Sequence, residues 1–230
     1  MGKKINDMFS KIHNGYDLAN RIYSAGTDAS WRRDAARDAM IQRRSFRVLD
    51  IATGTGELAI DVANAAKSLG KDVTIVGLDL NKQMMDTGRS KVDKKGIGNI
   101  TFKLGNAESL PFASASFDIA TSAFLLRNLD NQDKFCSELH RVLKKGGKFV
   151  LLDMALPESI LDRIIYELYF GVLMYPVSFL ANREAYKWLR QSLATFDKKR
   201  FVSMLKSNHF RNIKVRPLTL GVGYVITGTK

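Results

Sequence analysis

Cysteine is nearly absent from this chain of 230 residues: Cys136 is the only one. That excludes a disulfide framework, and one thiol cannot build a zinc site. Histidine is almost as scarce. His13, His140 and His209 lie scattered, without metal-ligand spacing, so no metal is expected. Four prolines punctuate the chain, with no internal repeat or low-complexity tract, which argues against a solenoid or a disordered linker. Long apolar runs are also missing. The longest uncharged one, residues 168–181, contains Pro176 and falls short of the roughly 20 residues that cross a bilayer. The amino-terminal MGKKINDMF lacks a signal-like apolar core, and Asn6 breaks the myristoylation pattern. A cytoplasmic protein is expected, with peripheral contact at the inner face of the cell membrane as an option.

What the chain does have is basic charge: 36 Lys and Arg against 23 Asp and Glu, a formal +13. Such a surface attracts nucleic acid, anionic lipid or acidic small molecules, or simply keeps the protein soluble. Basic residues crowd at 32–47 (Arg32, Arg33, Arg37, Arg43, Arg44, Arg47) and at 198–200. Neither cluster interleaves aromatics as a base-stacking platform would, so no nucleic-acid partner is expected.

Apolar runs at 47–51, 73–78, 100–104, 117–124 and 148–153 alternate with helical patterns at 57–69, 82–94 and 132–144. That rhythm indicates βαβ units around a buried parallel sheet. Lys144-Lys145-Gly146-Gly147 reads as the stop of the 132–144 helix, with cations and glycines at its C-terminus. Two further strand-like runs, 212–216 and 222–227, form a terminal antiparallel pair and bring the sheet to seven strands.

The chemistry gathers after the strands. RVLD is followed by Ala52, Gly54 and Gly56, small residues that let backbone approach a ligand. The same stretch satisfies the dinucleotide fingerprint, so taken alone it fits a nicotinamide site almost as well, and a plain strand–helix turn is the bland alternative. Glu57 at the helix start would repel a pyrophosphate but not a sulfonium cofactor, which carries no phosphate. Asp79, ending VGLD, suits the two ribose hydroxyls; otherwise it caps the 82–94 helix. In GNAESLPF, Asn106 suits an adenine edge and Ala107 leaves room for the ring. All three loops lie at carboxyl ends of strands, where open α/β sheets bind ligands.

With these motifs assembled, the chain resembles the ubiquinone/menaquinone biosynthesis C-methyltransferases over nearly its whole length. The resemblance rests on Phe9, Tyr16-Asp17-Leu18, Asn20, Ser24, Gly26 and Trp31, then VLDIATGTGEL, LDLN, GNAESLPF, SFD and AFLLRNLDNQDKFCSELHRVLKKGG, and finally LTLGVGYVITGTK. It implies an α/β fold: a Rossmann-like, seven-stranded class I methyltransferase sheet, mostly parallel with an antiparallel terminal strand. N-terminal helices and a helical insertion before the last two strands complete it. One domain is expected over 1–230, divided into an N-terminal helical lid (1–45), a cofactor-binding core (46–156), a helical substrate-lining insertion (157–197) and a terminal helix with the strand pair (198–230).

The resemblance implies S-adenosyl-L-methionine as cofactor and a polyprenylated quinol as substrate, demethylmenaquinol before a ubiquinone precursor. The expected cofactor contacts are Asp50, Ala52, Gly54, Thr55, Gly56, Asp79, Leu80, Asn106, Ala107 and Ser122. Departures from the family pattern are Ala123 in place of serine, with Ser122 displaced by one onto the other strand face; Leu125 in place of glycine; and Thr27-Asp28 in place of a histidine-arginine pair. A neutral aromatic carbon is a poor nucleophile, and a phenol ionises only near pH ~10. The site must therefore stabilise a phenolate and accept a proton. Arg127 is the expected phenolate partner, and its alternative is an ion pair with Asp130 or another carboxylate. Tyr16 is expected to bond the quinol or close the site, with an ordinary packed aromatic as the alternative. Asn128 is expected to contact substrate, orient Arg127 or cap the following turn. His13 is a lesser candidate base, and His140, His209 and Cys136 are expected to be structural. Ile160, Leu161, Ile164, Ile165 and Leu168 recur at helical spacing, as a core-facing helix, a wall for the isoprenoid tail or a surface for anionic membrane. Self-association into an oligomer stays open. Rival readings are methylation of another small molecule or lipid, a nucleic-acid-binding protein, and a nicotinamide oxidoreductase.

Overall fold

A computed structural model describes residues 26–169 and 183–230 together with Arg21 and Ser24; for residues 183–185 it describes backbone only. Tyr16, His13 and most of the expected N-terminal motif lie outside the described residues, as does 170–182 of the expected insertion.

Seven strands form one sheet in the order β3-β2-β1-β4-β5-β7-β6. They are β1 (Ser45–Ile51), β2 (Asp72–Asp79), β3 (Ile100–Leu104), β4 (Phe117–Ala123), β5 (Leu143–Met154), β6 (Arg211–Leu218) and β7 (Gly223–Thr229). β1 to β5 pair in parallel, while β7 runs antiparallel to both β5 and β6. The expected fold class is therefore present, the terminal antiparallel pair included. The helices described are α1 (Asp28–Asp38), α2 (Glu57–Ser68), α3 (Lys82–Lys94), α4 (Gln132–Val142), α5 (Ile160–Leu168), α6 (Arg183–Thr195) and α7 (Lys198–Ser207).

Burial explains the strand patterns. β4 is buried at six successive positions, as a central strand covered on both faces must be, and its sequence is apolar or small apart from Asp118, which Arg43 and Lys144 pair. Alternate residues of β5 serve two cores. Val150 and Leu152 join Trp31, Ala35, Leu58 and Val62 from α1 and α2. Phe149 and Leu151 join Phe135 and Leu139 of α4, Phe201 of α7 and Tyr224 of β7. Cys136 is fully buried in that second core, and burial pushes its thiol up to about 12. It is packing, not chemistry.

One boundary differs from expectation. α4 ends at Val142, and Lys144-Lys145-Gly146-Gly147 belongs to β5 rather than to a helix stop. Leu143 pairs with Phe117, the register slips, and pairing resumes at Lys148 opposite Ile119. The glycines sit in this irregularity, where Gly146 N–H donates to the Lys230 carbonyl and Lys230 N–H to that of Gly147. A distant chain segment, not a local cap, satisfies the backbone here.

The strand order reverses between β1 and β4, and this switch point opens a crevice beyond their carboxyl ends.

Candidate functional site

Both strands flanking the switch point end on left-handed backbone. Ala52 after β1 has φ +56° and Phe124 after β4 has φ +61°. A side chain at such φ costs roughly 1–2 kcal/mol, so the surroundings hold both turns open. Gly54 and Gly56 continue the turn at φ +55° and +79° without that cost. Gly56 then caps α2, with the ring of Phe102 placed where a Cβ would meet it at 3.2 Å.

Two cavities meet over these turns and share Ala52, Gly54, Ala123 and Phe124. The larger, about 630 Å³, is lined by Asp79, Leu80, Asn106, Ala107, Leu125 and Asn128 among others. The smaller, about 370 Å³, is lined by Asp50, Thr53, Thr55, Glu57 and Arg32 among others. Together they gather eight of the ten residues expected at a cofactor: Asp50, Ala52, Gly54, Thr55, Asp79, Leu80, Asn106 and Ala107. Gly56 and Ser122 line neither.

The Asp79 carboxylate accepts Gly54 N–H on Oδ2 and Asn81 N–H on Oδ1, both at 2.8 Å. It ties the glycine loop to the second strand and keeps lone pairs for a ligand; burial raises its pKa. Asp79 does not cap the next helix. That role falls to Asn81, whose side chain accepts Met84 N–H at 3.1 Å. Asn106 turns its side-chain oxygen back to Glu108 N–H at 2.9 Å, an Asx turn that shapes the third loop.

Asp50, 1% exposed, accepts hydroxyls from Thr53 and Thr121 at 2.7 Å each. Burial pushes its carboxyl up to about 6, and the nearby Asp79 charge adds to the rise, against the lowering by the two threonines. A desolvated carboxyl in a crevice marks Asp50 as a candidate functional group.

Strand alternation decides the neighbouring pair. Ser122 is buried and donates its hydroxyl to the Ile51 carbonyl at 2.7 Å, and it lines neither cavity. Ala123, on the opposite face, lines both cavities with a methyl group.

Asn128 lines the larger cavity beside the expected cofactor residues. Its amide nitrogen donates to the Phe124 carbonyl at 3.2 Å, and its Oδ1 has no hydrogen-bond partner among the described residues. Arg127 lies beyond the cavity wall. Its Nε donates to Asp153 Oδ1 at 2.6 Å and its Nη1 to Ser192 Oγ at 2.8 Å. The alternative of an ion pair with Asp130 or another carboxylate is thus met by Asp153, while the Asp130 backbone N–H donates to Glu108.

Arg32 and Asp153 are the residues that sequence reasoning missed. RVLD, VGLD and VLLD each put an aspartate at or one residue before the end of a core strand, so Asp153 carried the same signal as Asp50 and Asp79. Arg32 was submerged in the basic run 32–47, three of whose arginines are ion-paired in the folded chain. Arg32 pairs with Asp28 at 2.6 Å, Arg37 with Asp34 at 3.0 Å and Arg43 with Asp118 at 2.8 Å.

Aspartates on adjacent strand ends, a glycine turn between them and a paired cavity at the 1–4 switch point, in a sheet of this order, define a class I methyltransferase. A sequence profile of the ubiE/COQ5 methyltransferase family matches residues 1–230, and the chain belongs to that family. It is 37% identical to the ubiquinone/menaquinone biosynthesis C-methyltransferase UbiE of Citrifermentans bemidjiense, over 100% of this chain and 97% of that protein. It is 38% identical to the demethylmenaquinone methyltransferase of Deinococcus radiodurans, over 100% of this chain and 93% of that protein. Among solved structures, a SAM-dependent methyltransferase from Thermotoga maritima superposes with a TM-score of 0.67 at 19% identity, covering 97% of this chain and 99% of that one. Phosphoethanolamine N-methyltransferase 2 of Haemonchus contortus, in complex with S-adenosyl-L-methionine, does so at 0.65 and 17%, covering 87% and 52%. This chain is an S-adenosylmethionine-dependent methyltransferase.

Proposed function

We propose that the paired cavities hold S-adenosylmethionine and that the chain methylates a ring carbon of a reduced polyprenylated quinone precursor, demethylmenaquinol to menaquinol. The full-length likeness to the Deinococcus demethylmenaquinone methyltransferase supports the substrate class. The observation that carries the site is the convergence of Asp50, Asp79 and Asn106 from three successive strand ends on one double cavity.

The cofactor supplies an electrophilic methyl carbon. Using it would need a nucleophilic ring carbon and an acceptor for the proton that carbon gives up. The protein's task is to make that carbon nucleophilic by stabilising the ionised neighbouring hydroxyl. Arg127, held by Asp153, is the cation for that role, and its neighbour Asn128 lines the cavity. Asp79 takes the ribose, Asn106 and Ala107 the adenine. Tyr16, outside the described residues, remains assigned to closing the site.

Residues 157–197 are assigned to the substrate-lining region; of the expected lid, α1 packs into the core through Trp31, Ala35 and Ala36. α5 leaves Ile160 81%, Leu161 67%, Ile164 53% and Leu168 57% exposed, an apolar face suited to the membrane that holds a polyprenylated substrate. Among the described residues no helix is long and apolar enough to cross a membrane. Docking of this face on anionic membrane predicts that Ile164→Asp will reduce sedimentation with anionic vesicles.

The test is incubation with labelled S-adenosylmethionine and a panel of reduced quinone precursors, the methyl group then located by mass spectrometry. Methyl on the ring carbon of demethylmenaquinol is expected. Sound cofactor binding with no transfer to any quinol would redirect the assignment to another small molecule or lipid.

A further inference from the structure

α1 reaches the cofactor crevice from outside the sheet, and Trp31 fixes where it lands. The indole Nε1–H donates to Thr219 Oγ1 at 2.8 Å. Its ring occupies the space over Gly223, where a Cβ would stand 2.9 Å from it. The helix cannot slide without losing both. The next residue, Arg32, is 9% exposed and lines the smaller cavity together with Asp50 and Thr55.

Arg32 stands among three carboxylates and makes a close hydrogen bond to one of them. Nη1 donates to Asp28 Oδ2 at 2.6 Å, and Asp28 is itself set by Ser24, whose Oγ donates to Asp28 Oδ1 at 3.1 Å and accepts Asp28 N–H at 3.0 Å. Nη2 stands 3.8 Å from Glu57 Oε2 and Nε 3.5 Å from Asp61 Oδ2, beyond a good hydrogen bond. Nε is buried with no hydrogen-bond partner among the described residues. Glu57 turns instead to Lys91, at 2.6 Å. A buried guanidinium with unused donors is costly to leave so, and its planar fork matches a carboxylate in particular.

The same cavity offers the Asp50 carboxylate. Arg32 lines this small cavity together with two carboxylates, Asp50 and Glu57, and a zwitterionic α-amino acid offers a carboxylate to the one and an ammonium to the others, as a phosphate or a plain hydrophobe does not. We infer that Arg32 receives the α-carboxylate of the cofactor's methionine, with Asp50 serving the ammonium end, so that α1 contributes a cofactor-positioning residue from outside the sheet. This rests on the reading of the paired cavities as the cofactor site.

Calorimetry with two ligands tests it: S-adenosylhomocysteine and its decarboxylated analogue, which keeps the amine. Arg32→Gln should weaken S-adenosylhomocysteine by about 10- to 100-fold and leave the decarboxylated analogue within about 3-fold. Arg32→Lys, which keeps the charge but not the fork, should recover part of the loss and covers the case in which the glutamine variant fails to fold. Equal weakening of both ligands, or of neither, overturns the assignment. Failure of the unaltered chain to bind S-adenosylhomocysteine at all would instead overturn the cofactor-site reading, and this inference with it.

Discussion

Arg127 and Asp153 form an ion pair in which Nε meets Oδ1 at 2.6 Å, with side chains 3% and 0% exposed. The carboxylate also accepts Leu126 N–H and Met154 N–H, each at 2.7 Å. The arginine assigned to the phenolate therefore does not stand free: Asp153 orients it and fastens the turn after β4 to the end of β5.

Removing the charge of Asp153 leaves Arg127 buried without a counterion. Asp153→Asn is expected to cost about 3–5 kcal/mol of stability, read from urea unfolding monitored by circular dichroism. An unchanged midpoint would mean that the pair contributes nothing to the fold.

Arg127→Lys keeps a cation beside Asp153 but loses the planar geometry that bridges Asp153 and Ser192. Turnover should fall at least ~10-fold, with affinity for S-adenosylhomocysteine retained. Full turnover with the lysine would take Arg127 out of phenolate stabilisation.

Asp50 makes stability depend on pH. Its folded pKa of about 6 lies above the ordinary 3.8, so ionisation opposes folding. The contribution is fully favourable below about pH 4 and is lost as pH rises through about 6, a penalty on the order of 3 kcal/mol at neutral pH. Asp50→Asn should raise the thermal midpoint at pH 8 by a few degrees, less than the full penalty because one amide oxygen replaces two for Thr53 and Thr121. The gain should shrink toward pH 5. Cofactor affinity should fall in the same variant, and in the unaltered chain it should weaken as pH drops below about 6. A midpoint difference independent of pH would refute the raised pKa.

Ala123→Ser places a hydroxyl on the wall shared by both cavities. Affinity for S-adenosylhomocysteine is expected to rise by about 2- to 10-fold, the scale of one neutral hydrogen bond, while Ser122→Ala should cost stability through the lost bond to Ile51 rather than affinity. Equal affinity effects at both positions would contradict the strand facing.

The sequence by itself determined the strand–helix alternation, the glycine turn, and the aspartates that close the strands. All three follow from short-range causes: side-chain alternation, backbone freedom at glycine, and the position of a residue at a strand end. It also placed Asp50, Asp79 and Asn106 in one crevice, because parallel strands present their carboxyl ends on the same side. Only the tertiary structure decided which charges are free. Arg127 meets Asp153 because β4 and β5 lie side by side. Arg32 reaches the cavity because Trp31 docks on β7, far along the chain. Lys144 to Gly147 became strand because Lys230 supplied the backbone partners. An electrostatic or hydrogen-bond partner distant in sequence is chosen by sheet register and helix docking, and no local pattern carries that choice.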